Sequence, residues 1–167
     1  MNIREEIREN GGILSLSIIR IILACMLLWS FFDKLFGLGL ETPKGSGMID
    51  GHSPSEFILY FDGPVADLMH GLAGNVILDI ILMAALLLIG LALLLGIGMK
   101  VTAVSGIAFF FVMYLVCLFP ADNPFLDYHL IYIFALVAIY FCNAGDHLGL
   151  GRKWKELDIV KRYPILE

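Results

Sequence analysis

The segment NPFLDYHLIY, residues 123–132, places an aspartate and a histidine at the start of an apolar run that continues to Cys142. Asp127 and His129 are two positions apart, and a histidine beside a carboxylate can exchange a proton near neutral pH. Ionisable side chains are rare inside apolar segments, because each costs roughly 2.5–3.5 kcal/mol to insert into hydrocarbon. Asp127 and His129 are therefore candidates for proton transfer.

Three further charged residues lie close to the ends of other apolar stretches. Asp33 and Lys34 lie about one turn from the end of the first stretch, and Asp79 lies about one turn inside the second. If consecutive helices alternate in direction, all of these charged residues reach a similar depth. We predict a shared network in which Lys34 offsets one or two carboxylates. Its catalytic candidates are His129, Asp127, Asp33, Lys34 and Asp79.

The same positions are also consistent with a role that needs no chemistry. Each charged residue could be an ordinary helix-end residue in contact with lipid headgroups. Asp79 and Asp127 lie near predicted helix N-termini, where the macrodipole favours an acid by about 0.3–1 kcal/mol. The presence of acids, a lysine and a histidine at one level favours the network over this alternative.

The composition predicts a membrane protein. Of 167 residues, 59% are hydrophobic and only 16% are charged, which is more apolar than an ordinary soluble domain. Four apolar stretches cover residues 13–38, 76–98, 100–120 and 126–143, and a helix of roughly 20 residues crosses a hydrocarbon core. They lack the period-two alternation of a membrane β-barrel. We predict an all-α, integral-membrane four-helix bundle that forms one domain over residues 1–167.

The basic residues predict how the spans are oriented. Both termini and the turn between the second and third spans share one side of the membrane, and that side carries Arg4, Arg8, Lys100, Arg152, Lys153, Lys155, Lys161 and Arg162. The positive-inside rule places both termini and the tail 144–167 in the cytoplasm, with the loop 40–75 outside the cell membrane. The net charge of −5 argues against a nucleic-acid partner and leaves the lipid bilayer as the expected partner.

The loop and the tail contain short amphipathic segments. Ser53 precedes Pro54 and has Glu56 three positions on, which predicts a short helix over PSEFILYF that Ser53 caps. GPVADLMHGLAG predicts a second short helix. Both are too short to span, so we expect interfacial helices or a lid over the bundle, the alternative being a solvated connector. The tail RKWKELDIVKRYPILE predicts an amphipathic interfacial helix that Pro164 ends.

Helical phase groups the polar residues of the fourth span. At about 100° per residue, one stripe contains His129, Tyr132, Leu136, Tyr140, Asn143 and His147. We predict that this face looks inward and that Tyr132 and Tyr140 line a cleft with His129, although the tyrosines could instead be interfacial belt residues. In the second span Gly90 shares a face with Asp79 and predicts a close helix crossing.

Arg20 lies well inside the first span. It could snorkel to cytoplasmic phosphates, or it could pair with the inner end of the fourth span, where CNAGDHLGLG supplies Asn143 and Asp146. The second alternative predicts a structural contact of Arg20 with Asn143 and Asp146 that joins the first and last spans. No metal site is predicted, because the four histidines lack HxxxH and HxxE spacing.

Three segments of the chain carry a resemblance to a known family. They are LSIIRIILACMLLWSFFDKLFGLG, GPVADLMHGLAGNVILDIILMAALLLIGLALLLGIGMKVTAVSG and NPFLDYHLIYIFALVAIYFCNAGDHLGLGRKW, within residues 14–154. In these segments the sequence resembles the DoxX-like family of small four-helix membrane proteins, which includes the large subunit of thiosulfate:quinone oxidoreductase. The matching positions are Arg20, Asp33, Lys34, Asn75, Asp79, Asn123, Pro124, Asp127, His129, Asn143, Gly145 and Asp146. Val76 stands where related sequences often have proline, and Tyr128 stands where a second acid often precedes the histidine.

The resemblance implies a membrane subunit that passes electrons from sulfur compounds or thiols to a quinone. The quinone head group would then contact His129, Tyr132 and Tyr140, while Asp127 would orient the histidine and Lys34 with Asp33 would tune both. The chain has no evident redox centre, so the expected partner is a soluble or membrane oxidoreductase subunit, and a homo-oligomer is a further alternative. A second function fits the same residues, namely a non-catalytic assembly subunit or a carrier of small anions.

Overall fold

The computed structural model of the chain describes residues 3–119, 123 and 125–167, with side chains from residue 10 onward. Pro124 and the side chains of Arg4 and Arg8, which entered the predictions above, lie outside this description.

The described residues form helices and turns without any strand, which confirms the all-α prediction. The α-helices are α1 (Ile3–Phe36), α2 (Ala66–His70), α3 (Val76–Leu95), α4 (Met99–Cys117), α5 (Tyr128–Phe141), α6 (Gly151–Lys155) and α7 (Asp158–Arg162). Short 3₁₀ helices cover Met48–Asp50, Glu56–Tyr60, Ala144–Asp146 and Pro164–Leu166.

Three helices are long and apolar enough to cross a membrane, namely Asn10–Phe36 within α1, α3 and α4. The apolar α5 has only 14 residues, about 21 Å against a hydrocarbon core of about 30 Å. Its bounds have local causes, because Asp127 caps its first turn and Asn143 adopts a left-handed φ of 51° just beyond its end. The structure confirms three helices of spanning length, and the fourth span stays a prediction.

The four longer helices pack side by side, with α1 on α3, α3 on α4, α4 on α5 and α5 on α1. The buried core between them includes Leu23, Leu27, Leu86, Leu93, Leu136 and Ile139. Gly90 makes the contact of α3 with α1 close, because a Cβ added there would lie 2.9 Å from Cγ of Leu28. The close helix crossing predicted at Gly90 is confirmed.

The alternating direction of the helices gives the molecule two ends. At one, which we call the His129 end, α1 and α4 finish and α3 and α5 begin. At the other, the Arg20 end, α3 and α5 finish and α4 begins. The predicted meeting of charged residues on separate helices can therefore be tested at the His129 end.

Residues 48–70 fold across the His129 end, and we call this segment the lid. Ile58, Ser55 and Ala66 within it are 1%, 0% and 2% exposed. The Gly63 amide donates a hydrogen bond of 3.0 Å to the Val116 carbonyl at the end of α4. The segment is therefore packed onto the helices, unlike a solvated connector, and the two predicted short helices correspond to Glu56–Tyr60 and α2.

The tail forms two short helices, α6 and α7, where one was predicted. It folds back on itself, because Trp154 Nε1 donates to the Leu166 carbonyl at 2.6 Å. The amide of Lys100 in α4 donates to the Glu167 carbonyl at 2.7 Å. These contacts attach the tail to the first turn of α4 at the Arg20 end.

Candidate functional site

A cavity of about 150 Å³ lies at the His129 end, between the helices and the lid. Its walls are mostly apolar and aromatic side chains, namely Leu23, Met26, Leu27, Phe57, Leu82, Leu86, Phe109, Phe110, Met113, Tyr128 and Tyr132. Its polar residues are Ser30, Lys34, Glu41 and His129. A few polar groups in an apolar hollow are typical of small-molecule sites.

Asp127 and His129 form the closest charged pair of the site. Nδ1 of His129 lies 2.5 Å from Oδ2 of Asp127, and both side chains are under 10% exposed. The other carboxylate oxygen of Asp127 accepts the His129 amide at 3.0 Å, which caps the first turn of α5. Within the described part of the chain, Nε2 of His129 has no hydrogen-bond partner. The carboxylate thus holds one ring nitrogen and leaves the other for a ligand.

Lys34 reaches the same cavity but has a different partner from the one predicted. Its ammonium lies 3.2 Å from a carboxylate oxygen of Glu41 and 4.4 Å from the centre of the Phe57 ring. The Ser30 hydroxyl donates to the same oxygen of Glu41 at 3.0 Å. Lys34 therefore offsets one carboxylate, as predicted, but the partner is Glu41 and not an aspartate of the predicted network, because the loop after α1 returns Glu41 to the helix.

Glu41 was missed as a site residue because it lies in a loop on the sequence. The chain turns back through Gly37 and Gly39, whose backbone φ angles are 61° and 92°. Residues other than glycine rarely adopt these values. A helix that ends at Phe36 and is followed by two such glycines can return an acid to its own last turn. The sequence GLGLE contained that signal.

Asp33 is buried but does not line the cavity. Its carboxylate accepts hydrogen bonds from the amides of Thr42 at 2.7 Å and Leu40 at 3.4 Å. These bonds hold the turn that carries Glu41. The catalytic role predicted for Asp33 is replaced by a positioning role, because α1 directs its side chain towards the loop backbone.

Asp79 is also outside the cavity, which corrects the prediction that it neighbours Lys34 and His129. Its carboxylate accepts the Ser53 hydroxyl at 2.7 Å and the Ser55 amide at 3.1 Å. The Ser53 hydroxyl also accepts the Ser55 amide at 3.3 Å, but the short helix begins at Glu56 and the residue that precedes it is Ser55. The cap predicted at Ser53 is wrong because the helix starts two residues later than predicted, and Asp79 instead attaches the lid to α3.

Replacing Asp79 with alanine should loosen the lid without disrupting the packing of the hydrophobic core. The change removes the charged acceptor of the Ser53 hydroxyl and of the buried Ser55 amide and leaves them only the longer contacts between these two serines, at 3.1 and 3.3 Å. Bonds to a charged group contribute about 1.5–3 kcal/mol. We expect amide hydrogen exchange around Ser55 to accelerate about 10- to 100-fold. Asp67→Ala, an exposed acid of the same segment, should leave exchange unchanged, and equal acceleration in both variants would contradict the assignment.

The two tyrosines predicted to share the cleft are separated by the structure. Tyr132 lines the cavity, and its hydroxyl lies 3.7 Å from the sulfur of Met26. Tyr140 lies two turns further along α5, roughly 12 Å away at 1.5 Å per residue. It lines a different pocket at the Arg20 end, with Asn143 and Asp146. The role predicted for Tyr140 beside His129 is wrong, because one stripe of a helix reaches both ends.

Arg20 is fully buried and bonds to carbonyl groups instead of the predicted side chains. It donates to the carbonyls of Leu93, Leu94, His147 and Leu148, the last three at 3.0, 3.2 and 2.8 Å. The last carbonyls of a helix have no partner within the helix, and Arg20 supplies donors to two of them at the end of α3. The first span is thereby joined to the chain beyond α5, as predicted, but through the backbone.

Asn143 and Asp146 bind Lys155 of α6. The Lys155 ammonium lies 2.8 Å from the Asp146 carboxylate and 3.3 Å from the Asn143 amide oxygen. The left-handed conformation of Asn143 ends the helical path, so both side chains turn away from Arg20. The predicted contact of Arg20 with Asn143 and Asp146 is therefore wrong.

The described residues contain no group of three or more His, Cys, Asp or Glu that could hold a metal ion. Comparison of the chain with family models, curated proteins and solved structures finds no match. The class that the fold and site define is an all-helical protein with three helices of membrane-spanning length and an apolar cavity with a polar rim.

Proposed function

We propose that the chain is a DoxX-like membrane subunit of a quinone-linked oxidoreductase that acts on sulfur compounds or thiols. The observation that carries the proposal is the cavity at the His129 end, where His129 with Asp127 and Lys34 with Glu41 face apolar and aromatic walls. A quinone head group presents the complementary chemistry, namely a flat apolar ring with carbonyl oxygens that accept hydrogen bonds.

The cavity fits one ring. Its volume is about 150 Å³, and an apolar cavity of about that volume holds benzene in another protein. Phe110 packs against the two polar aromatic residues, with its ring centre 6.2 Å from that of His129 and 5.2 Å from that of Tyr132. These distances are typical of packed aromatic side chains. A single-ring head group therefore matches the size of this cavity.

A bound quinone supplies an acceptor for two electrons and two protons. The role of this chain is to hold the head group and to exchange protons at Nε2 of His129, because Nδ1 is held by Asp127. Lys34 provides a cation in the same cavity, and Glu41 with Phe57 fixes where its ammonium lies. The apolar walls exclude water from the ring, which strengthens these polar contacts.

The membrane arrangement is part of the proposal. α5 serves as the fourth span, its polar ends reaching the headgroups, and the basic tail places both termini in the cytoplasm of a cell-membrane protein. The cavity then opens near the extracytoplasmic surface. Electrons come from a second subunit or a soluble sulfur enzyme, which is the partner that the proposal requires.

The geometry gives less support to a carrier of small anions. The lysine and the histidine that line the cavity already have a carboxylate partner, Glu41 for Lys34 and Asp127 for His129. An anion would have to displace a carboxylate to bind there. An assembly subunit without a ligand remains the outcome that the following experiment can reveal.

The test is to purify the protein in mild detergent and to identify bound quinone by absorbance before and after borohydride reduction. We expect His129→Ala to weaken quinone binding at least tenfold, since it removes a polar contact worth about 1.4 kcal/mol or more. Tyr140→Leu at the Arg20 end is the matched control and should bind normally. A folded wild-type protein without quinone affinity would favour the assembly subunit. A His129→Ala variant with full affinity would show that quinone binds without His129 and would contradict the proposed site.

A further inference from the structure

An apolar groove of about 720 Å³ runs between α3 and α4. Its lining on α3 extends from Leu78 to Ala92, roughly 21 Å at 1.5 Å per residue. Ile58 of the lid borders it at one end and Trp154 of the tail at the other. The groove therefore follows the helices through most of a hydrocarbon core of about 30 Å.

One layer of side chains separates this groove from the cavity at the His129 end. Leu82, Phe109 and Met113 line both spaces. They lie where α3 begins and α4 finishes, so most of the groove extends from this wall towards the Arg20 end. Met113 is unbranched and adopts alternative rotamers readily, which makes it the wall residue best able to open a passage.

The groove offers an occupant almost nothing but apolar contact. No charged side chain of the described residues lines it. The hydroxyl of Ser105 is already bonded within α4, to the carbonyls of Val101 at 2.8 Å and Thr102 at 3.3 Å. Small side chains, such as Ala92 and Ala108, leave the space open. A hydrocarbon chain suits this lining, whereas a polar molecule would lose its hydrogen bonds to water.

We propose that the groove binds the isoprenoid tail of the same quinone whose head group occupies the cavity, with the tail passing between Leu82, Phe109 and Met113. This inference rests on the proposed function. It assigns the polar ring and the apolar tail of one ligand to two adjoining spaces with matching chemistry. It also gives the ligand a route from the bilayer between α3 and α4.

The test compares two ligands and two variants in the full-length protein. The ligands are a benzoquinone head group without a tail and the same head group with a short isoprenoid tail. Ala108→Phe fills the groove from an exposed position, and Val104→Phe places the same side chain on α4 outside the groove. Dividing each variant's dissociation constant by the wild-type value cancels the partition of the tailed quinone into detergent.

We expect Ala108→Phe to weaken binding of the tailed quinone about tenfold, the loss for excluding one or two methylene groups from apolar contact. Binding of the tail-less head group should stay within twofold, and Val104→Phe should bind both ligands normally. Normal binding of the tailed quinone by Ala108→Phe would overturn the groove assignment while leaving the cavity intact. A changed oligomeric state of Ala108→Phe would also overturn it, since the groove would then be a surface for helix packing. Failure of the wild type to bind either ligand would remove the proposed function itself.

Discussion

Replacing Arg20 with methionine should destabilise the folded protein more than any other single change at the Arg20 end. Methionine approximates the length and volume of arginine but donates no hydrogen bond. The four carbonyl groups that Arg20 contacts, on Leu93, Leu94, His147 and Leu148, would lose this donor, and Leu93 would keep the Gly96 amide at 3.2 Å. Each bond to a charged donor contributes about 1.5–3 kcal/mol, and relief from the desolvation cost of the buried guanidinium offsets part of the sum. We expect a net loss of about 3–5 kcal/mol in the free energy of unfolding.

The measurement is thermal unfolding in detergent. It is monitored by tryptophan fluorescence or by loss of the monodisperse peak in size-exclusion chromatography. A loss of 3–5 kcal/mol corresponds to a fall of the midpoint by on the order of 10 °C for a chain of this size. Arg152→Met, at an exposed position of α6, should change it little. Arg20→Lys should be intermediate, because one ammonium cannot reproduce the planar fork of donors. An unchanged midpoint in Arg20→Met would show that water satisfies these carbonyls.

The sequence predicted well those features that depend on local pattern. Apolar stretches predicted the helices, since backbone groups in an apolar region must bond within the segment. Gly90 predicted a close crossing, and Leu28 lies against it. The pair Asp127 and His129 was predictable because a helix start fixes the geometry of residues two positions apart. The charged residues within apolar stretches are indeed buried, as the cost of exposing them to hydrocarbon requires.

Their partners were not predictable from depth alone. Asp33, Lys34 and Asp79 lie at one level, but each bonds to a residue of the loop between α1 and α3, namely Thr42, Glu41 and Ser53. A loop's path depends on turns and long-range contacts, which helical periodicity does not encode. Arg20 shows the same limit, because backbone carbonyls outcompeted the acid that its charge suggested. Side-chain spacing predicted where the polar groups lie, but their hydrogen-bond partners depend on the path of the loop.

In the proposed quinone site, these corrections make Asp127 the residue on which proton exchange at His129 should depend most. Asp33 and Asp79 hold the loop, and neither lines the cavity, so Asp127 is the aspartate in contact with a lining group. Oδ1 caps α5 and Oδ2 faces Nδ1 of the histidine. One side chain thus fixes both the first turn of the helix and the orientation of the ring.

Replacing Asp127 with asparagine should separate these two roles. Asparagine is as good a helix cap as aspartate, so its carbonyl oxygen should keep the bond to the His129 amide, and the midpoint of unfolding should hardly change. Its amide NH₂ must then face Nδ1 in place of Oδ2. Asp127 favours the tautomer with the proton on Nδ1, whereas a donor at that position favours the tautomer with the proton on Nε2. Nε2 then lacks the lone pair that it needs to take up a proton for exchange. We expect the rate constant kcat of quinone reduction to fall about 100-fold or more, with a much smaller change in quinone affinity.

The rate is measured in membranes that contain the chain with its natural partner, supplied with thiosulfate or a thiol and the tail-less benzoquinone. Glu56→Gln, which neutralises an exposed acid of the lid, should retain the wild-type rate. Combining Asp127→Asn with His129→Ala should be no slower than His129→Ala alone, because Asp127 acts only through the ring that the second change removes. An additive loss in the double variant, or a fall in kcat matched by a fall in the unfolding midpoint, would show that Asp127 stabilises the helix and has no part in the proton exchange.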